Sequence, residues 1–194
     1  MRYALIGIVL LSCAGLALRA LGQGSDQEQE EPKKKRWWAI DAGVYRPTSE
    51  EIRDRFGDYL FRVGVRPFGN ELIGSGKPFI DATILTARQG SSHLFVLPVT
   101  LGFITSTGDE NDDTISFASV GVGPAYYNYK IKRLVGSTIV TIKESTFGWS
   151  AHAEIGIRIQ KRLTITGRYD WFSESNDFDF SGFSLNLSYA AFRW

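Results

Sequence analysis

His152-x-Glu154, with Arg158 four residues further on, is the strongest candidate for acid–base chemistry in the chain. An imidazole and a carboxylate two residues apart share one face of an extended segment, where they could act as an acid–base pair. Only two histidines are present, His93 and His152, so few nucleophile–base pairs can be assembled. A salt-bridge network in which these groups neutralise one another is the better reading. Asp109, Asn111 and Asp113 have the spacing of the first ligands of a calcium loop, but Thr114 stands where that loop needs Gly and Val120 where it needs Glu. The segment reads as a solvated acidic loop, with loose cation binding as the alternative. Gly121-x-Gly123 is not followed by a helix, so a nucleotide-binding loop fails on context, and relief of strand curvature explains the glycines. Cys13 is the only cysteine and excludes a disulfide framework. The expectation is no catalytic residue, no cofactor and no metal.

Those side chains need elements to position them. A net charge of +1 on 194 residues does not fit a nucleic-acid binder, so no such partner is expected. Aromatics at 13% with 20 glycines and a single Met favour a β-rich domain, because rings pack on pleated surfaces and Gly eases tight turns.

The first segment reads as an address. Arg2 precedes an apolar run from Ala4 to Leu18, too short for a membrane helix, and Ala20-Leu21-Gly22 offers small residues for cleavage after Gly22. Residues 1–22 are therefore expected to be a signal peptide. The alternative is a lipoprotein box, Leu10-Leu11-Ser12-Cys13, which would make Cys13 the lipidated residue; the apolar run continuing past Cys13 speaks against it. Residues 23–36 are an acidic block followed by a basic one, without apolar periodicity, and read as a disordered linker. Its tract Lys33 to Arg36 could touch anionic head groups or peptidoglycan, although solvated charge is the default.

From 37 to 194 the chain shows about eight segments of period-2 alternation between turn signals. They run from Trp37 to Arg46, Tyr59 to Phe68, Pro78 to Ala87, His93 to Ile104, Ile115 to Lys132, Phe147 to Arg158, Arg162 to Trp171 and Phe180 to Trp194. The sixth is the clearest, with Phe147, Trp149, Ala151, Ala153, Ile155 and Ile157 opposed to Ser150, His152, Glu154, Gly156 and Arg158. Pro98 is a local mismatch in the fourth. In the fifth, the apolar set switches from Val120 and Val122 to Tyr127, Tyr129 and Ile131, which predicts a bulge near Gly123-Pro124. Only Thr48 to Phe56 looks helical, one turn or two, with Thr48 as N-cap and Glu51 in capping-box position.

Alternation alone does not say which face is inside. The polar faces carry both signs at mid-strand (Arg62, Arg66, Asp81, Glu154, Arg158, Arg168 and Asp170) and are rich in Gly, Ser and Thr. The segments are about ten residues long, the length a tilted strand needs to cross a bilayer, and aromatics gather near their ends. The fold expected is an all-β, eight-stranded antiparallel up-and-down transmembrane β-barrel. Its lumen charge network would be Arg62, Arg66, Asp81, His152, Glu154, Arg158, Arg168 and Asp170.

Gly43-x-Tyr45-x-Pro47-Thr48, Leu97-Pro98-Val99-Thr100-Leu101-Gly102, Val120-Gly121-Val122-Gly123-Pro124 and the final GFSLNLSYAAFRW, in that order, resemble the small outer-membrane β-barrel family of the porin-like and opacity-protein type. The resemblance covers residues 37–194. It implies a bacterial outer-membrane location in a Gram-negative-type cell, outer-membrane lipids and the barrel assembly machinery as partners, a monomer, and Phe192 and Trp194 as the terminal aromatic assembly signal. Lipid-deacylating members resemble a His-x-Ser arrangement, whereas this chain has His-x-Glu. Two departures stand out. The outward set Phe183 to Tyr189 is odd while Phe192 and Trp194 are even, which needs a bulge near Ala190-Ala191. The connections Gly69 to Lys77 and Thr105 to Asp113 are also long for the periplasmic side. The function expected is non-enzymatic: structural, adhesive or small-solute passage. The alternative is a periplasmic or lipid-anchored soluble barrel binding an apolar ligand.

Overall fold

A computed structural model describes residues 37–68, 76–108, 112–135, 137–159 and 162–193. The expected signal peptide, the linker, Trp194 and two of the acidic-loop residues, Asp109 and Asn111, lie outside them. Eight antiparallel strands close on themselves in sequence order: β1 (Trp37–Pro47), β2 (Leu60–Phe68), β3 (Lys77–Gln89), β4 (Ser92–Thr107), β5 (Thr114–Val135), β6 (Thr138–Ile159), β7 (Leu163–Phe172) and β8 (Gly182–Arg193). Closure pairs β1 with β8 and leaves no edge along the wall of the barrel. Among the described residues one helix, α1 (Glu50–Phe56), joins β1 to β2.

The faces are inverted relative to a water-soluble barrel. Ile40, Val65, Leu101, Val122, Ile155 and Leu185 project outward and exposed, while Asp41, Arg62, Asp81, Glu154 and Arg168 are buried inside. On β6 the outward residues from Phe147 to Ile159 are all apolar. That stretch is twelve steps of about 3.3 Å, some 40 Å along the strand, or about 30 Å in height at a tilt near 40°. A bilayer's apolar band is matched.

Two sequence expectations about register have opposite outcomes. The β1–β8 ladder shifts between Trp38 and Ala39, which pair with Phe192 and Ala190 and leave Ala191 as the extra residue. The bulge at the end of the chain is therefore present. The one expected near Gly123-Pro124 is absent: β5 and β6 pair without a shift from Thr114↔Ile159 to Val135↔Thr138. Odd residues of β5 from Ile115 to Ile131 face inward, so Val120 and Val122 point out while Tyr127, Tyr129 and Ile131 point in. What changes along the strand is the character of the interior, not the direction of the side chains.

Pro98 has the local effect its missing N–H requires. Pairing of β3 with β4 is recorded at Ala82↔Val99 and again at Leu85↔Val96, but not between, and the register resumes unchanged. The helix differs in its start: Ser49 is the N-cap and no side chain caps it, while the Thr48 hydroxyl instead donates to the Ser181 carbonyl at 2.8 Å. Strand β6 begins at Thr138, nine residues before the alternation at Phe147 becomes clear. With β5 it forms a hairpin that outruns its neighbours, since β4 pairs no further than Lys130 and β7 no further than Ser150.

Candidate functional site: the barrel interior

All eight residues expected in the lumen network are buried in the barrel interior. Two bridges cross it between opposite walls. From β2, Arg66 donates both Nη groups to Glu154 on β6, at 2.5 and 3.1 Å, in the bidentate geometry that planar guanidinium and carboxylate favour. From β7, Arg168 reaches Asp81 on β3, and its Nε donates to Asp170 at 2.7 Å. In an eight-stranded barrel β2 faces β6 and β3 faces β7, so each strut spans a diameter.

Asp41 on β1, which the expected network left out, belongs to it. Its carboxylate lies 3.6 Å from Arg66 and 4.0 Å from Arg62, and accepts from the Ser188 hydroxyl at 2.8 Å. Its inward parity was legible in the sequence, and its charge was the available signal. Arg62 is further held by Ser184 at 2.9 Å and Thr83 at 3.1 Å. Arg158 is buried nearer the terminal end, where its strand pairs with Thr164. With Asp41 included, four arginines face four carboxylates among the described buried residues, so the interior is close to neutral. Burial of so much charge is tolerable only because each group finds a partner; removing one leaves the other stranded in a poorly solvating interior.

His152 and Glu154 share the inward face as their spacing requires, but they are engaged separately. The carboxylate is held by Arg66, and His152 Nδ1 lies 3.3 Å from the Thr100 hydroxyl. The imidazole is accommodated by glycine. Phe79, Gly102, Gly121 and His152 are successive cross-strand partners from β3 to β6, and the two glycines let the Phe79 and His152 rings meet at 5.9 Å between centroids. A Cβ on Gly121 would stand 2.5 Å from His152 Cε1. Close approach, rather than curvature alone, explains this glycine.

Above the charged tier the interior becomes apolar. Tyr45, Tyr127, Tyr129, Phe178 and Phe180 pack with Ile52 and Phe56 of α1 across the mouth. A two-residue turn at Asn176-Asp177, both with positive φ as a type I′ turn demands, folds the β7–β8 connection back and turns its phenylalanines inward. The hydroxyls are spent on that connection: Tyr45 donates to the Phe180 carbonyl at 2.6 Å and Tyr129 to the Ser175 carbonyl at 3.2 Å. This second tier was not foreseen, because the loops that build it show no alternation. Of the expected assembly signal, Phe192 pairs by its backbone with Trp38. Trp194 is outside the described residues, as is the side chain of Phe192. Among the described residues no three His, Cys, Asp or Glu side chains cluster as a metal site would require.

A closed eight-stranded up-and-down barrel with an inverted, charge-lined interior is the architecture of the small outer-membrane barrels. The outer-membrane enzyme PagL shares the fold at TM-score 0.54 and 14% identity, covering 79% of this chain and 99% of that one. Neisserial surface protein A (NspA) aligns at TM-score 0.49 and 10% identity over 82% and 100% of the two chains. Ail of Yersinia pestis, the attachment invasion locus protein, aligns at TM-score 0.46 and 12% identity over 84% and 100%. No family model and no curated protein sequence matches the chain.

Proposed function

We propose that this chain is an integral, monomeric and non-enzymatic protein of the bacterial outer membrane, with a sealed lumen. On this reading it serves the envelope by structure or surface contact rather than by passing solutes. The observation that carries the membrane reading is the inversion itself: Phe147, Ile155 and Leu101 expose 76%, 70% and 60% of their surfaces while Arg62 exposes 2%. In water that arrangement forfeits the hydrophobic driving force and strands the charges; in hydrocarbon it satisfies both. A soluble barrel binding an apolar ligand would need the opposite lining at mid-barrel.

The two cross-lumen struts and the aromatic mouth favour a closed interior over a channel. His152 faces the lumen, away from lipid, which favours a structural role over deacylation. The likeness to PagL is one of fold. Outer-membrane lipids and the barrel assembly machinery are the partners this reading requires. The test is extraction from membranes. Detergent-dependent release with heat-modifiable gel migration is expected, along with no conductance in planar bilayers. Release by alkaline carbonate would overturn the membrane reading, and steady conductance would overturn the seal. His152→Ala is expected to leave lipid A composition unchanged.

A further inference from the structure

The outward strand positions hold a charge asymmetry that the lumen network does not explain. Among the described residues these positions carry no Asp or Glu, and their cations are Arg46, Arg88, Lys130, Lys132 and Lys143. Every one lies at the end of the barrel that carries α1 and the β5–β6 turn, here called the loop end, opposite Trp37 and Arg193. Three of them join a single lateral row. Arg88 pairs with His93, His93 with Lys130, and Lys130 with Lys143, across β3, β4, β5 and β6. With strands about 4.8 Å apart, the row is about 14 Å wide.

The row sits just above the greasy belt. Four residues down the same strands come Leu97, Tyr126 and Phe147, the last two in ring contact at 5.1 Å. Between the two levels runs the rung Thr86, Phe95, Asn128 and Ser145, polar but for Phe95, in which Asn128 donates to Ser145 at 2.9 Å and its carbonyl lies 3.3 Å from His93 Nε2. That order, aliphatic and aromatic below, mostly neutral polar next, cationic above, follows the chemistry of a leaflet from acyl chain to head group.

Lys130 and Lys143 are direct cross-strand partners, and like charges placed so are mutually unfavourable. Neither they nor Arg88 form an ion pair with another described residue. An anion bridging the row converts that repulsion into attraction. We propose that the row Arg88–His93–Lys130–Lys143 is a docking site for the phosphate-bearing head group of an anionic lipid in the leaflet around the loop end. The proposal rests on the membrane reading above and adds to it a defined lipid-facing site.

The test uses the full chain in nanodiscs of phosphatidylcholine doped with phosphatidylglycerol, with native mass spectrometry reading which lipid remains bound. The unaltered chain is expected to retain phosphatidylglycerol preferentially, with the preference falling as salt rises. Lys143→Gln should reduce it about fivefold, and Arg88→Gln/Lys130→Gln/Lys143→Gln more, while Lys143→Arg keeps it. Arg46→Gln, on β1 away from the row, should leave it unchanged. Heat-modifiable migration of each variant confirms that the barrel is folded. Equal retention by the unaltered chain and the folded single variant, or no preference in either, overturns the site. Failure of the unaltered chain to insert overturns the membrane reading instead.

Discussion

Replacing Ile155 with Arg and, separately, Ile139 with Arg separates solvent from geometry. Both isoleucines lie on the outward face of β6 and are almost equally exposed, at 70% and 67%. For a barrel in water the two substitutions are equivalent surface changes, each within about 0.5 kcal/mol of neutral. In a bilayer they differ by depth. The apolar stretch of β6 from Phe147 to Ile159 has its midpoint at Ala153, so Ile155 lies about 7 Å along the strand from it, or about 5 Å in depth after tilt. Ile139 lies eight residues beyond Phe147, about 20 Å above the belt by the same arithmetic. Arg near the midplane costs about 2–4 kcal/mol, and outside the belt about nothing. The Ile155→Arg barrel should therefore lose about 30- to 1,000-fold in its folded-to-unfolded ratio, and Ile139→Arg should be silent. Urea unfolding from lipid vesicles, followed by fluorescence of the outward Trp38, Trp149 and Trp171, measures both. Equal shifts for the two variants would refute the assignment of hydrocarbon to the outward face.

Arg66→Met should cost about 3–5 kcal/mol by stranding Glu154, and Arg66→Met/Glu154→Met should recover much of it; a double-mutant cycle on vesicle unfolding gives the coupling. Gly121→Ala must displace the His152 ring and is expected to destabilise, whereas Gly167→Ala, with nothing within 4 Å of the new methyl, should be neutral or stabilising by about 0.4–1 kcal/mol. Tyr129→Phe removes the hydroxyl that Ser175 and Asn176 bind, so hydrogen exchange should quicken in the β7–β8 connection while the mid-barrel strands stay protected.

The sequence disclosed the wall of the barrel better than its contents. Alternation around Phe147–Ile157 and Phe183–Tyr189 placed each residue on its face, because a period of two admits only two choices and buried charge decides between them. The terminal bulge was legible for the same reason: an apolar set that changes parity without a change of environment needs an extra residue. The same argument misfires at Tyr127, Tyr129 and Ile131. Apolar identity marks the lipid side only while the lumen is polar, and here α1 and the β7–β8 connection bring an apolar filling to the mouth. Nothing local at Tyr127 announces that Phe180 and Phe172 will pack against its ring; the information lies over forty residues away.

The two tiers answer different physical demands. On the membrane reading the interior at mid-height is ringed by hydrocarbon and water cannot solvate an unpaired group, so Arg66, Arg168 and their carboxylates close on one another across the barrel. The cost of that choice is that the charged tier contributes little net stability relative to an apolar filling, while any single deletion is expensive. At the mouth, beyond the belt, loops can fold inward and their backbone groups can reach tyrosine hydroxyls, so an apolar filling becomes available and packs there as an ordinary protein core does. Selection for a pore would have placed small residues at Tyr45, Tyr127 and Phe180. The rings found there, with the tyrosine hydroxyls bonded to the connection they cover, fill the mouth with the barrel's own loops, and on the membrane reading proposed above they leave the outward face, with its basic row over an aromatic collar, as the surface that would meet the bilayer.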